Sequence, residues 1–137
     1  MVFSRRQHPL PKFPPDIIPT FENSCETLRV DQIPELKNAL VRETQALSDR
    51  AETNRLLNRA LIAFISDRCA WMLERYAEYT AKQQALIVGA VRYFASEQDP
   101  LPDGEFASGL HDDAAVVNYV LEELGADESL YIELHNS

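Results

Sequence analysis

A chain of 137 residues, 45% hydrophobic and 26% charged, has the length and balance of one soluble globular domain that can bury a core. Its formal net charge of −9 repels phosphate backbones, so no nucleic-acid partner is expected. No apolar run approaches the roughly 20 residues that span a bilayer, so no membrane partner is expected either.

The N-terminus carries Arg5 and Arg6 without an apolar stretch behind them, unlike a secretory signal. The two cysteines, Cys25 and Cys69, then read as reduced packing thiols, and a cytoplasmic location is the expectation. Residues 1–24 hold Pro9, Pro11, Pro14, Pro15 and Pro19. Proline fixes φ and removes a donor, so the composition predicts an extended, polyproline-like arm. Phe3, Phe13, Ile17, Ile18 and Phe21 are too apolar for a free linker, so the arm should dock on a groove of its own chain or of a neighbour.

The remainder, residues 25–137, reads as a helical domain. A first helix is predicted over about 33–47, with Asp31 as its cap and Pro34 tolerated in its first turn. Ile33, Leu36, Leu40 and Leu47 form its apolar stripe. It breaks at Ser48-Asp49 or at Thr53-Asn54. A second helix, about 54–79, should be the longest and the central one. Leu57, Leu61, Phe64, Ile65, Cys69, Met72 and Tyr76 recur along it at steps of three and four. Thr80 and Gln83 have capping-box spacing for a third helix over about 81–96. That helix is apolar around most of its circumference, and Gly89 inside it marks a close approach to another helix. A fourth helix is predicted to start at His111 or Asp112 and to end at Gly125. Asp127 then caps a short last helix through Leu134. The fold class is all-α: a single-domain bundle of four to five helices with an extended Pro-rich N-terminal arm.

Between the third and fourth helices lies the stretch 99–113, Asp-Pro-Leu-Pro-Asp-Gly-Glu-Phe-Ala-Ser-Gly-Leu-His-Asp-Asp. Asp99, Pro102, Asp103, Gly109, Asp112 and Asp113, after a helix ending Tyr93-Phe94-Ala95-Ser96, fall at the spacings of a bacterial motif. The stretch resembles the YkvA-like family, a domain of unknown function, over about residues 81–124. Leu101, Pro100, Gly104 and Ala107 depart from that family's usual residues. The resemblance implies a helical fold and no established activity.

Three chemistries fit the stretch. As a rigid corner, its aspartates bond backbone amides, Gly104 and Gly109 supply positive φ, and Asp112 caps the following helix. As a cation site, Asp99, Asp103, Asp112 and Asp113, with His111 beside them, would hold a divalent ion such as Mg²⁺ or Ca²⁺. As a pair of crowded acids, they would do proton-transfer work. No Gly-x-Ser-x-Gly, phosphate-binding glycine loop or Cys-x-x-Cys accompanies them, so no catalytic residue is assigned.

Residues 97–137 carry 11 acidic and no Lys or Arg residues. Arginines of the preceding helices are expected to neutralise part of this face, or a basic partner covers it. The leading expectation is a non-enzymatic protein–protein interaction module with a protein partner or self-association and no cofactor. The alternative is a divalent-metal-binding protein or metal-dependent enzyme working through residues 99–113.

Overall fold

The computed structural model of the chain describes residues 7–12, 15–54, 57–95 and 103–133, with backbone alone over 103–109. Among the described residues there are five α-helices and no strand, the all-α bundle that the periodicities predict.

Proline lacks an N–H, but the first turn of a helix has no intrahelical acceptor for one. Helix α1 therefore forms over Ile17–Ser24 with Pro19 in its first turn. The arm expected to be extended through residue 24 is helical from Ile17 onward. Ile17 and Phe21, one turn apart, are buried. Upstream, residues 7–12 have no regular structure and dock on their own chain.

Helix α2, Ile33–Thr53, follows a 3-10 turn over Val30–Gln32. Asp31 sits inside that turn and is not the cap; instead the Gln32 side chain accepts from the Arg29 N–H at 2.9 Å. Ile33, Leu36, Leu40 and Leu47 are buried as the stripe requires, and the break falls at Thr53-Asn54. Helix α3, Arg59–Glu74, starts at Asn58, whose side chain accepts from the Leu61 N–H at 3.1 Å. It is 16 residues long against 21 for α2, so it is not the longest helix. It ends early because the chain turns through a 3-10 segment, Tyr76–Glu78. There the buried Tyr76 hydroxyl accepts the Leu28 N–H at 2.7 Å and donates to the Leu28 carbonyl at 2.6 Å. Phe64, expected on the buried stripe, is 48% exposed, while Ile62 is buried. The α2–α3 pair is joined by a Thr44–Ser66 hydroxyl contact of 2.9 Å.

Helix α4, Ala81–Ala95, is the central element, in the place the sequence reading assigned to the second helix. It packs against α1, α2, α3 and, further on, α5 (Asp103–Glu123). Its capping box is formed: the Thr80 N–H donates to Gln83 Oε1 at 3.1 Å, and the Gln83 N–H to Thr80 Oγ1 at 3.2 Å. Gly89 lets α1 come close. A Cβ there would collide with Cys25 Sγ and meet the Phe21 ring at 3.0 Å.

The largest correction concerns residues 103–113. They are not a loop: α5 is one helix of 21 residues from Asp103 to Glu123. Asp112 and His111 are not caps but lie in its middle. Gly104 and Gly109 lie within the helix and make no turn. The apolar rows explain this. Leu110, Ala114, Val117 and Leu121 are buried at steps of three and four, and Val116 and Val120 lie beside them. That stripe begins before residue 112, and burying each of its valine and leucine side chains contributes about 1.5–3 kcal/mol. Two glycines cost about 1 kcal/mol each, which the packing outweighs. Acidic Asp103 and Glu105 also suit the positive end of the helix dipole. The helix ends where predicted: Gly125 has φ 70°, its N–H donates to Glu122 and that of Ala126 to Leu121, a Schellman closure. Asp127 caps the following segment through the Ser129 N–H at 3.1 Å, though that segment, Glu128–Leu130, is a 3-10 turn. Leu134 lies outside the described residues.

Candidate functional site

Of the five acidic-loop candidates, Asp99 lies outside the described residues. Asp103 opens α5, and its side chain also lies outside them. His111, Asp112 and Asp113 are half-buried on consecutive positions near the middle of α5. Sequence reasoning missed their neighbours, which come from four other parts of the fold. Burial pushes the Asp113 carboxyl well above the usual carboxylate range, and the charges of Asp112 and of Glu43 on α2 push it further. Asp112 is raised by burial and by Asp16, just ahead of α1, against the opposing pull of His111. The Tyr93 hydroxyl on α4 is raised by burial and then by Asp113, Asp112 and Asp16. Cys69 on α3, fully enclosed, is raised by burial and then by Asp113.

At this acidic shoulder the neighbouring carboxylates push the Asp112, Asp113 and Tyr93 groups upward, and His111 opposes them at Asp112. Arginines of the preceding helices form ion pairs among those helices. Arg59 pairs with Glu52 at 3.4 Å, Arg75 with Glu74 at 3.8 Å, and Arg92 with Glu26 at 2.9 Å. Arg68 pairs with Asp67. All four partners precede residue 97. Among the described residues no three His, Cys, Asp or Glu side chains come together as a metal-binding group. Cys25 is pushed up to about 11 by burial and by Glu22, and its thiol donates to the Phe21 carbonyl at 3.3 Å. Both thiols therefore stay protonated at neutral pH and are poor nucleophiles.

A concave feature lies elsewhere. An open groove of about 400 Å³ runs between α5 and the C-terminal segment, lined by His8, Asn118, Glu128, Tyr131, Ile132 and Glu133 among others. None of the acidic-loop candidates lines it. Asn118, 1% exposed, builds its floor. Its amide donates to the Ile132 carbonyl at 2.9 Å and accepts the Ile132 N–H at 2.7 Å. Arg68 holds the same segment from α3, donating to the Leu130 carbonyl at 2.6 Å. One turn beyond Asn118, Glu122 takes two successive backbone donors. The Gln7 N–H lies 2.9 Å from one carboxylate oxygen and the His8 N–H 2.8 Å from the other. The His8 ring sits over Tyr131 with centroids 4.1 Å apart, and Leu10 packs on the core edge.

No protein-family model matches the chain, and neither the curated proteins nor the solved structures provide a match.

The site is therefore read from its own chemistry. Asn118 and Glu122 were missed because each falls inside or beside an apolar run that reads as core. One signal was present: Asn118 is the single polar residue within Ala-Ala-Val-Val-Asn-Tyr-Val-Leu, residues 114–121. A buried amide there must find partners, and its i+4 neighbour shares its face. Glu122 and Glu123 also stand at the negative end of the α5 dipole, with no basic residue in the last turn. That placement is unfavourable unless donors meet the carboxylates, and for Glu122 the two N–H groups of the N-terminal segment do so. Among the described residues no helix is long and apolar enough to cross a membrane.

Proposed function

We propose that this chain is a non-enzymatic protein–protein interaction module that docks extended polypeptide at the end of α5, beside the groove that α5 makes with the C-terminal segment. One observation carries the reading: the Glu122 carboxylate receives two successive backbone N–H groups of a segment without regular structure, beside a ring that accepts a side chain of that segment. Recognition of main-chain groups by fixed side chains, with a pocket for an alternate side chain, is how extended peptides are bound. The spacing of Asp99 to Asp113 remains the ground for proposing kinship with the YkvA-like family, which assigns no activity. The test is cross-linking from the native host with wild type and Glu122→Lys as baits. A partner joined to wild type and lost from the variant supports the module; equal capture by both removes the end of α5 from the function.

A second reading, divalent-metal binding at the acidic shoulder, is favoured by one observation, the crowding of Asp16, Glu43 and Asp112 around Asp113 and Tyr93. A resident cation would relieve that crowding and stabilise the fold by mass action. Thermal melts with Mg²⁺, Ca²⁺ or Mn²⁺ against chelator test it. A metal-dependent rise that Asp113→Asn abolishes would put this reading first.

A further inference from the structure

Helix α3 begins a repeat that the core does not explain. Residues 64–70 read Phe-Ile-Ser-Asp-Arg-Cys-Ala, and residues 71–77 read Trp-Met-Leu-Glu-Arg-Tyr-Ala. Aromatic, acidic, arginine and alanine positions recur seven residues apart. The inner half of the repeat is core: Ile65, Cys69, Met72 and Tyr76 are buried. The outer half is Phe64, Asp67 and Arg68, then Trp71, Glu74 and Arg75. Phe64 is one of the large hydrophobic side chains left exposed. Trp71 is half-buried, and Asp67 and Glu74 are exposed. A seven-residue period is what a helix needs to keep one face against a second helix.

The outer face is also fixed within its own chain. The Arg68 guanidinium lies 5.9 Å from the Phe64 ring centroid, and that of Arg75 lies 4.4 Å from the Trp71 ring centroid. Arg75 further donates to the Trp71 carbonyl at 3.2 Å, and Arg68 is held by the Leu130 carbonyl. Side chains already ordered in this way lose little freedom on docking. Trp and Arg are also the residues that dominate interface energetics. Asp67 and Glu74 pair with the arginine next to each in sequence. Pairs at exposed carboxylates are weak, so they exchange readily for arginines of another molecule.

We propose that this face of α3 is a self-association surface, covered by α3 of a second copy running antiparallel across a two-fold axis. Charge complementarity selects that occupant and that direction. Along the helix each seven-residue unit runs aromatic, acid, arginine. In an antiparallel copy the order reverses, so in a single register Phe64 meets the other copy's Arg75 while Arg68 meets its Trp71. Asp67 then lies beside the other copy's Arg75, and Glu74 beside its Arg68. A parallel copy in register would set arginine against arginine and acid against acid, which is repulsive. Each antiparallel contact is made twice, as a two-fold interface requires. The proposal concerns α3 and does not rest on docking at the end of α5.

Sedimentation velocity on the full chain, over a micromolar to submillimolar concentration series, tests it. Wild type should form a reversible dimer within that range. Phe64→Ser should abolish the dimer, and because Phe64 is exposed the variant should stay folded by circular dichroism. The decisive variants use a pair that cannot form within one chain. Asp67 and Arg75 stand eight residues apart in sequence, about 12 Å along a helix axis. Asp67→Arg and Arg75→Glu should each weaken the dimer at least about tenfold, since a two-fold axis counts each substitution twice. The two substitutions together restore opposite charges across the axis and should recover most of that loss. Glu122→Lys, at the end of α5, should leave the dimer unchanged. A chain that stays monomeric throughout, a dimer indifferent to Phe64→Ser, single charge variants with no effect, no recovery in the double variant, or dissociation by Glu122→Lys would each overturn the proposal.

Discussion

Near its middle, α5 sets Asp112 and Asp113 against Glu43 of α2 and Asp16 ahead of α1. At its end the same helix sets Asn118 and Glu122 against backbone groups of the two chain termini. Both regions are polar positions on a largely buried helix. They differ in what answers the polar atoms. At the end, donors and acceptors meet at 2.7–2.9 Å, and burial strengthens the Asn118–Ile132 pair. In the middle, burial and like charge act together, and the carboxyl of Asp113 is driven toward its neutral form. One end of α5 spends its polarity on holding extended chain; the other stores electrostatic repulsion. Residue type alone does not separate them, because Asp113 and Glu122 are both carboxylates on one helix.

The largest expected effect tests the matched end. Asn118→Ala leaves the buried N–H and carbonyl of Ile132 without partners, and each such group costs about 1–3 kcal/mol. A loss of about 2–4 kcal/mol in chemical denaturation is expected. A loss below about 0.5 kcal/mol would mean that the C-terminal segment is not held by this amide.

Next comes the contact that sets α1 on the bundle. Gly89→Ala adds a Cβ into Cys25 Sγ and toward Phe21. Overpacking of this kind costs about 1–3 kcal/mol, against a helix-propensity gain of about 1 kcal/mol. The net expectation is a loss of up to about 2 kcal/mol. Cys25→Ala combined with Gly89→Ala should recover part of it by removing the sulfur. Failure of the double variant to recover would place the strain elsewhere.

The middle of α5 makes a pH prediction of smaller size and opposite sign to the usual one. The folded-state pKa values of Asp113 and Asp112 are raised, so the folded state binds protons more readily than the unfolded chain. Their contribution to stability therefore increases as pH falls from neutral through the raised values, and is complete near the ordinary value of about 4. Asp127 runs the other way. Bonds from Ser129 lower its carboxyl, so its contribution is lost only as pH falls below that ordinary value. Wild type should thus melt higher at pH 5 than at pH 7, and Asp113→Asn should flatten the slope and raise the neutral-pH midpoint. A melting temperature that drops between pH 7 and pH 5 would show that the shoulder is matched after all.

The smallest effect concerns thiol chemistry. Cys25, raised to about 11, should react slowly with a thiol reagent at neutral pH. Cys69, buried beside Asp113, should react only on unfolding. Rapid native-state labelling of two thiols per chain would contradict the enclosure of Cys69.

What the sequence determined by itself was everything governed by local period and local caps. The stripe of α2, the capping box of Thr80 and Gln83, the all-round burial and close approach at Gly89, and the glycine stop at Gly125 follow from spacing within one or two turns. Position within a helix was legible at Pro34 but not everywhere, because glycine and proline carry opposite meanings at starts and interiors. Pro19 reads as a breaker yet sits in a first turn. Gly104 and Gly109 read as turns yet lie in a helix held by an apolar stripe that contacts the rest of the bundle. The candidate site shifted for a related reason. The aspartates were found as a cluster in sequence, but their neighbours Glu43, Asp16, Tyr93 and Cys69 come from other elements, and only the packing of five helices brings them together. The docking of the N-terminal segment depended on tertiary structure entirely: Glu122 meets Gln7 and His8 across more than a hundred residues. A carboxylate's partners, and with them its charge and its use, are settled by long-range packing, which no local pattern encodes.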